Sequence, residues 1–200
     1  MGMKLYLATS NKGKVKEIQA LFKHYEVIPY SDIIKPFEIV EDADTFKDNA
    51  IIKAQAVYEA IGDENALVLA DDSGISVDCL NGEPGIYSAR YAGEDASDKD
   101  NMNKLIDAIK ATGAQTSKAH YTAAIALTSR YGTDVVHGWM HGTVCVTPKG
   151  TGGFGYDPIF IPDGYDLTLG ELSAQIKAKL SHRSKALHLI EKLLIGQGFI

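Results

Sequence analysis

The chain has 200 residues, of which 45% are hydrophobic and 23% charged, and it carries a formal net charge of −6. That length can bury a substantial core as one large domain or as two intimate lobes. The acidic balance argues against a nucleic-acid partner, which needs a basic face, and no apolar run is long enough to span a bilayer. Cys79 and Cys145 lie far apart without metal-ligand spacing, so they read as free thiols in a reducing compartment. No basic-then-apolar leader opens the chain. Met1-Gly2 is not followed by the Ser or Thr that myristoylation needs, because Tyr6 stands there. A cytoplasmic location is expected.

Lys4–Ala8 alternates and reads as a first strand. Thr9, Ser10, Asn11, Lys12, Gly13 and Lys14 follow as a polar turn, and Val15, Ile18, Leu21 and Phe22 then recur at helical spacing. Strand, lysine-bearing loop and helix together make a phosphate cradle, with backbone N–H groups at the helix start and ammonium groups beside them. It is not a Walker A loop, since GxxxxGK[ST] is absent; the competing reading is an ordinary strand-to-helix turn. Glu26–Pro29 reads as a short strand. An acidic run, Glu38 to Asp44, leads into a helix whose start carries capping-box spacing at Thr45 and Asp48. Phe46, Ala50, Ala54, Val57 and Ile61 form its apolar stripe, Asn49 and Lys53 share a face beside the stripe, and Gly62 is its stop.

The most informative stretch is Leu67–Gly74. An apolar run, Ala66 to Ala70, has the character of a buried strand and ends in two adjacent carboxylates, Asp71 and Asp72, followed by Ser73 and Gly74. Neighbouring residues on an extended chain point to opposite faces, so one acid can enter a cleft while the other turns back to brace a loop or hold a second water. Paired acids there are costly unless a metal, lysines or backbone donors compensate them. A plain Asp-Ser-Gly turn is the competing reading. Ile75 to Val77 then reads as a returning strand.

Ser97 and Asp100 open another helix, with Met102, Leu105, Ile106 and Ile109 on one side. Tyr121–Thr128 and Val135–Val146 read as a hairpin turning near Tyr131 and Gly132. Residues 150–158 hold four glycines interleaved with Phe154, Tyr156 and Asp157, a loop that lets backbone approach a ligand and offers an aromatic face to a flat base. Last, Ser181 is an N-cap candidate that puts His182 and Arg183 in a first helical turn. Cations there oppose the helix dipole, and the cost favours a ligand-facing role.

Two kinds of group emerge. Glu41, Asp71 and Asp72 suit Mg²⁺, a hard cation that takes carboxylates, water and phosphate oxygens. Lys14, Lys53 and the 9–14 backbone suit phosphates, Phe154 can stack, and Asp157, Lys177, His182 and Arg183 can read a base edge. The sum is a nucleotide site with a metal, fitted to phosphoryl chemistry by positioning and electrostatics.

The motifs TSNKGK at 9–14, TFKDNAIIKA at 45–54, LADDSG at 69–74, GEPGIYSARYAGEDA at 82–96, GTGGFGYDPIF at 150–160 and LSHRSKAL at 180–187 occur in this order. The chain thereby resembles the inosine triphosphate pyrophosphatase family over nearly its whole length. The resemblance implies an elongated α/β fold with a mixed sheet flanked by helices. It implies one pyrophosphatase domain over 1–200 with two lobes around a central cleft, and a homodimer. The reaction implied is hydrolysis of ITP, dITP or XTP, purine nucleoside triphosphates, to the monophosphate and pyrophosphate with Mg²⁺.

Carried over residue by residue, Asp72 is the general base and a metal ligand, and Glu41 is the second acid at the metal, with Asp42 as the alternative. Asp71 and Asn49 support them. Thr9, Ser10, Asn11, Lys12, Gly13, Lys14 and Lys53 hold the triphosphate. Ser73, Phe154, Gly155, Tyr156, Asp157, Lys177, His182 and Arg183 hold the nucleoside. The departures from the family pattern are Asp48, where Glu is usual, and an acidic loop without glycine after the glutamate. The alternatives are a Maf-like pyrophosphatase of other nucleotides, a non-catalytic nucleotide sensor and a nucleic-acid-binding module.

Overall fold

The structure is a computed structural model, and it describes residues 3–199; Met1 and Gly2 lie outside the described residues. The strands are β1 (Lys4–Leu7), β2 (Glu26–Pro29), β3 (Val68–Val77), β4 (Thr116–Ser129), β5 (Gly132–Cys145) and β6 (Phe160–Pro162). The helices are α1 (Lys12–Leu21), α2 (Phe46–Ile61), α3 (Asp98–Ala111), α4 (Ala174–Leu180) and α5 (His182–Gly196). The strands follow the order β2-β1-β3-β4-β5-β6. β1 runs parallel to both β2 and β3, while β5 and β6 are antiparallel, so the sheet is mixed. Two residues, Arg130 and Tyr131, join β4 to β5, the expected hairpin.

The chain divides into two compact units, with β3, β4 and β5 each running from one into the other. The first comprises 3–72, 123–138 and 183–199. Its sheet residues alternate strictly. Leu5, Leu7, Leu67, Leu69, Ala123, Ile125 and Leu127 pack with Ile18 of α1 and with Ala186, Leu187, Ile190 and Leu194 of α5. Ala8, Ala66, Val68, Ala70, Ala124 and Ala126 pack with Ala50, Ala54 and Val57 of α2. One period-2 pattern therefore feeds two cores. The second face is built of alanines, which lets α2 lie close to the sheet.

The second unit comprises 73–122 and 139–182. Its core joins Ile75 and Val77 of β3 and Tyr121 of β4 to Leu105, Ile106 and Ile109 of α3, with Tyr156, Ile159 and Phe160. Ser97 and Asp100 close a complete capping box on α3. Thr45 caps α2 by accepting from Asp48 N–H, and Gly62 ends that helix in the left-handed region at φ 67°.

Two expectations are corrected. Asp71 and Asp72 do not end a strand: β3 runs unbroken through them for ten residues, so Ile75–Val77 continues it rather than returning. Polar residues were mistaken for punctuation because the cations that make them tolerable in mid-strand come from distant segments. Residues 174–180 form a further short helix, which Ser181 closes by donating its N–H to the Lys177 carbonyl, and α5 begins at His182, so Ser181 stands immediately before a helix as expected. The helix-start amides of Gly13 and Lys14 do not stand open, because the Asn11 side chain caps both. Among the described residues no helix is long and apolar enough to cross a membrane.

The close packing of α2 yields a stability prediction. Ala54 is fully buried against the alanine face, so Ala54→Leu should overpack it and cost about 1–3 kcal/mol, read as a lowered urea midpoint. An unchanged midpoint would mean that this face has slack.

Candidate active site

In the first unit the alternation of β3 continues past its apolar residues. Residues 67 and 69 face α1 and α5, and so does Asp71; residues 66, 68 and 70 face α2, and so does Asp72. The two neighbouring acids thus enter separate ion clusters, as the extended backbone requires.

Asp71 is fully buried. Its Oδ2 lies 2.9 Å from Lys14 Nζ and accepts from Arg183 Nε at 3.3 Å and Nη2 at 3.2 Å. Lys14 also donates to the Asp71 backbone carbonyl at 3.2 Å. Arg183 reaches Glu17 Oε2 through Nη1 at 2.5 Å. Burial alone would raise the Asp71 pKa, but Arg183, then Lys14 and Lys53, outweigh it and hold the carboxyl well below the usual range. Burial lowers the Lys14 pKa, with Asp71 pulling the other way.

On the opposite face, Lys53 of α2 bridges two acids, 2.6 Å from Glu41 Oε2 and 3.1 Å from Asp72 Oδ1. Asn49, one turn earlier and 1% exposed, accepts from Ala43 N–H and donates to the Ala43 carbonyl. That pair of bonds pins the acidic segment to α2 and aims Glu41 at Lys53, whereas Asp42 is exposed. Asp72 Oδ2 is buried and makes no hydrogen bond among the described residues. Burial raises the Asp72 pKa, the cations Lys53 and Lys14 oppose it, and Glu41 adds to the rise.

This donor set fits a divalent cation. Two carboxylates, one with an unengaged buried oxygen, are what a hard divalent cation takes when phosphates and water complete its shell. No group of three His, Cys, Asp or Glu side chains among the described residues forms a cage that would hold a metal alone. Thr9 and Asn11 form a tight local turn, with Thr9 Oγ1 accepting from Asn11 N–H at 3.2 Å; Ser10 and Lys12 are exposed beside it, and Gly13 is partly buried.

The second unit holds the remaining residues. Asp157, 4% exposed, accepts Phe154 N–H at 2.9 Å and pairs with Lys177. The Lys177 ammonium lies 4.7 Å from the centre of the Phe154 ring. Tyr156 is buried and its hydroxyl donates to the Ser88 carbonyl at 2.6 Å; burial pushes its pKa up. Gly155 N–H donates to Asp98 at 2.9 Å. Glycine is required at 153, where φ is +75° and a Cβ would stand 1.9 Å from Asp157 Oδ2. His182 is buried and stacks on Tyr121 at 4.9 Å and 12°. Ser73 lies on β3, partly buried.

Arg183, expected at a base edge, places Nε, Nη1 and Nη2 on carboxylates of the first unit. Those acids also compensate for its place in the first turn of α5. Two residues went unread in the sequence, Glu17 and Asp98. Glu17 follows Lys14 by three on α1, a same-face spacing that could have flagged it. Asp98 opens α3 and had only its first-turn position as a signal.

A family model described as the Ham1 family matches residues 5–193. The chain belongs to the Ham1 family. Family membership agrees with the inosine triphosphate pyrophosphatase resemblance. A dITP/XTP pyrophosphatase of Sulfurimonas denitrificans is 59% identical, the alignment covering 96% of this chain and 98% of that protein. One of the same name from Nautilia profundicola is 58% identical over 96% and 97%. Among solved structures, the Staphylococcus aureus Ham1 protein superposes with a TM-score of 0.84 at 38% identity, covering 97% of this chain and 99% of that one. A HAM1 protein from Coxiella burnetii gives 0.85 at 35%, with the same coverage. The Ham1 chains therefore share this α/β architecture.

The ion cluster at Asp71 sets a pH prediction. Its folded pKa lies below the unfolded one, so its stabilisation is present above the unfolded carboxylate range near pH 4 and is lost as pH falls towards the folded value. At pH 7, Asp71→Asn should cost about 3–5 kcal/mol by leaving Arg183 and Lys14 undercompensated. The gap between wild type and variant in urea unfolding should narrow at pH 3. A gap of equal size at both pH values would show that the charge is not what stabilises.

Proposed function

We propose that this chain hydrolyses dITP, XTP and ITP to the nucleoside monophosphate and pyrophosphate, removing non-standard purine nucleotides from the pool. The reading rests on the Ham1 membership together with one observation, the buried Asp72 carboxylate with an unengaged oxygen beside the Glu41–Lys53 pair. A sensor would have no need of such a base.

In the reaction a water attacks the α-phosphorus, the bond from that phosphorus to the bridging oxygen breaks, and pyrophosphate leaves. Asp72 accepts the water's proton, its buried Oδ2 being the oxygen without a hydrogen bond among the described residues. Lys14 and Lys53 balance the charge that builds on the bridging oxygen and β-phosphate, where stabilisation favours the transition state. Asn11 shapes the loop that presents Thr9 to Lys14 to the phosphates. Glu41 and Asp72 would hold a divalent cation, Mg²⁺ by their chemistry, which would supply electrostatic stabilisation of the phosphates.

Recognition of the base is assigned to the second unit. Phe154 stacks on it, with Gly155 and Tyr156 shaping the loop, while Ser73, Lys177 and His182 supply polar contacts. Asp157 braces the loop and Lys177. Hypoxanthine and xanthine carry an acceptor oxygen at position 6, adenine an NH₂ donor, so donors on this side reject adenine by leaving polar groups unpaired. The single domain, the homodimer and the cytoplasmic location expected above belong to this proposal. Support for the location is that both cysteines are free, and sedimentation of the purified chain tests the dimer.

Pyrophosphate release from dITP, XTP and ITP should far exceed that from ATP, should stop with EDTA and should return with Mg²⁺. Asp72→Asn should lower kcat by about 10²–10⁴-fold. Lys177→Met should narrow the preference for ITP over ATP. Equal hydrolysis of all four nucleotides would sink the base-recognition assignment, and full activity in Asp72→Asn would remove the general base.

A further inference from the structure

We infer that Glu17 is a positioning residue for the phosphate-binding lysine Lys14, acting through Arg183 and Asp71. The inference takes the phosphate-binding role of Lys14 from the function proposed above. Glu17, Arg183, Asp71 and Lys14 form a chain of alternating charge. Glu17 is partly buried, with 14% of its side chain exposed; Arg183 has 2% and Asp71 none.

One oxygen, Asp71 Oδ2, serves Lys14 Nζ and both Arg183 Nε and Nη2. How that oxygen is shared depends on where the guanidinium sits. The guanidinium is a rigid planar fork, so a pull on Nη1 places its other two donors as well. Glu17 supplies that pull at 2.5 Å. With Glu17 neutral, two buried cations would compete for one carboxylate. Arg183 would turn further onto Asp71, and Lys14 would be displaced from the oxygen and backbone carbonyl that now aim it. Glu17 and Lys14 lie one helical turn apart on α1, so the same helix carries the lysine and the far end of its brace.

The test is calorimetric binding of inorganic tripolyphosphate to wild type, Glu17→Gln, Lys14→Met and the double variant. Glu17→Gln should weaken binding about tenfold, the scale expected when a positioned group is misplaced by a fraction of an ångström or more. The double variant should bind no more weakly than Lys14→Met, because the two act as one unit. Glu17→Asp keeps the charge but sets it back by one methylene; it should lose about threefold and carries the same test if the Gln variant does not fold. Binding within twofold of wild type in both Glu17 variants, additive losses in the double variant, or no binding by wild type would each overturn the inference. Tripolyphosphate binding with this pattern but no hydrolysis of dITP would defeat the proposed reaction and leave the role of Glu17 standing.

Discussion

A carboxylate with no exposure in the middle of a strand is costly to fold around, and the first unit is organised by how that cost is offset at Asp71. Compensation comes from two directions. Lys14 arrives on α1, directly after β1, and Arg183 arrives at the start of α5, 112 residues further along the chain than Asp71. Neither helix can shift without stranding the charge. The apolar core beneath them, Ile18 of α1 against Leu187 and Ile190 of α5, is therefore held in register by an interaction more directional than its own packing. The same contacts fix the start of α1, where the Thr9–Lys14 loop meets Asn11's cap. A loop expected to meet phosphates is thus rigid on its helix side.

Much of this was legible because backbone geometry is local. The opposite facing of Asp71 and Asp72 follows from extended backbone alone, and the start and stop of α2 follow from Thr45, Asp48 and Gly62. The interleaved glycines at 150–155 marked a loop of close approach to a ligand, and the approach the structure shows at Gly153 is to Asp157, where a Cβ would stand. The length of β3 was not legible. Its polar half resembles a turn, and only side chains far along the chain make Asp71 and Asp72 acceptable in mid-strand. Arg183 shows the same limit. Its awkward place in a first helical turn pointed to a ligand-facing role, and nothing nearby in the chain named Asp71 or Glu17 as its carboxylate partners. Family membership added the identity of the reaction, which no local geometry contains.

The second unit solves a different problem with the same economy of parts. A glycine-rich loop is entropically costly to order, and here bonds to several segments hold it. Tyr156 donates to the Ser88 carbonyl, Gly155 to Asp98, and Phe154 to Asp157. Ser88 is itself fixed, its hydroxyl taking the Ile75 N–H. The result leaves Phe154 placed by its backbone rather than by burial of its ring, with the Lys177 ammonium over it. A ring so held can present an aromatic face at little further ordering cost when a base arrives.

The adjacent acids also show how one dipeptide can supply two functions. Asp71 and Asp72 share a strand, a chemistry and nearly a position. Asp71 faces Arg183 and Lys14, which hold it ionised far below the usual carboxylate range. Asp72 faces α2, where one oxygen meets Lys53 and the other meets nothing among the described residues, and burial with the Glu41 charge nearby raises its pKa. Environments that push the pKa values of two like groups apart separate a structural charge from a working base. Exchanging their roles would need the strand to slip by one residue, and a one-residue slip would also turn Leu67 and Leu69 out of one core and Val68 and Ala70 out of the other. The register that packs the sheet is therefore the register that gives Asp72 the environment on which its proposed role as the base depends.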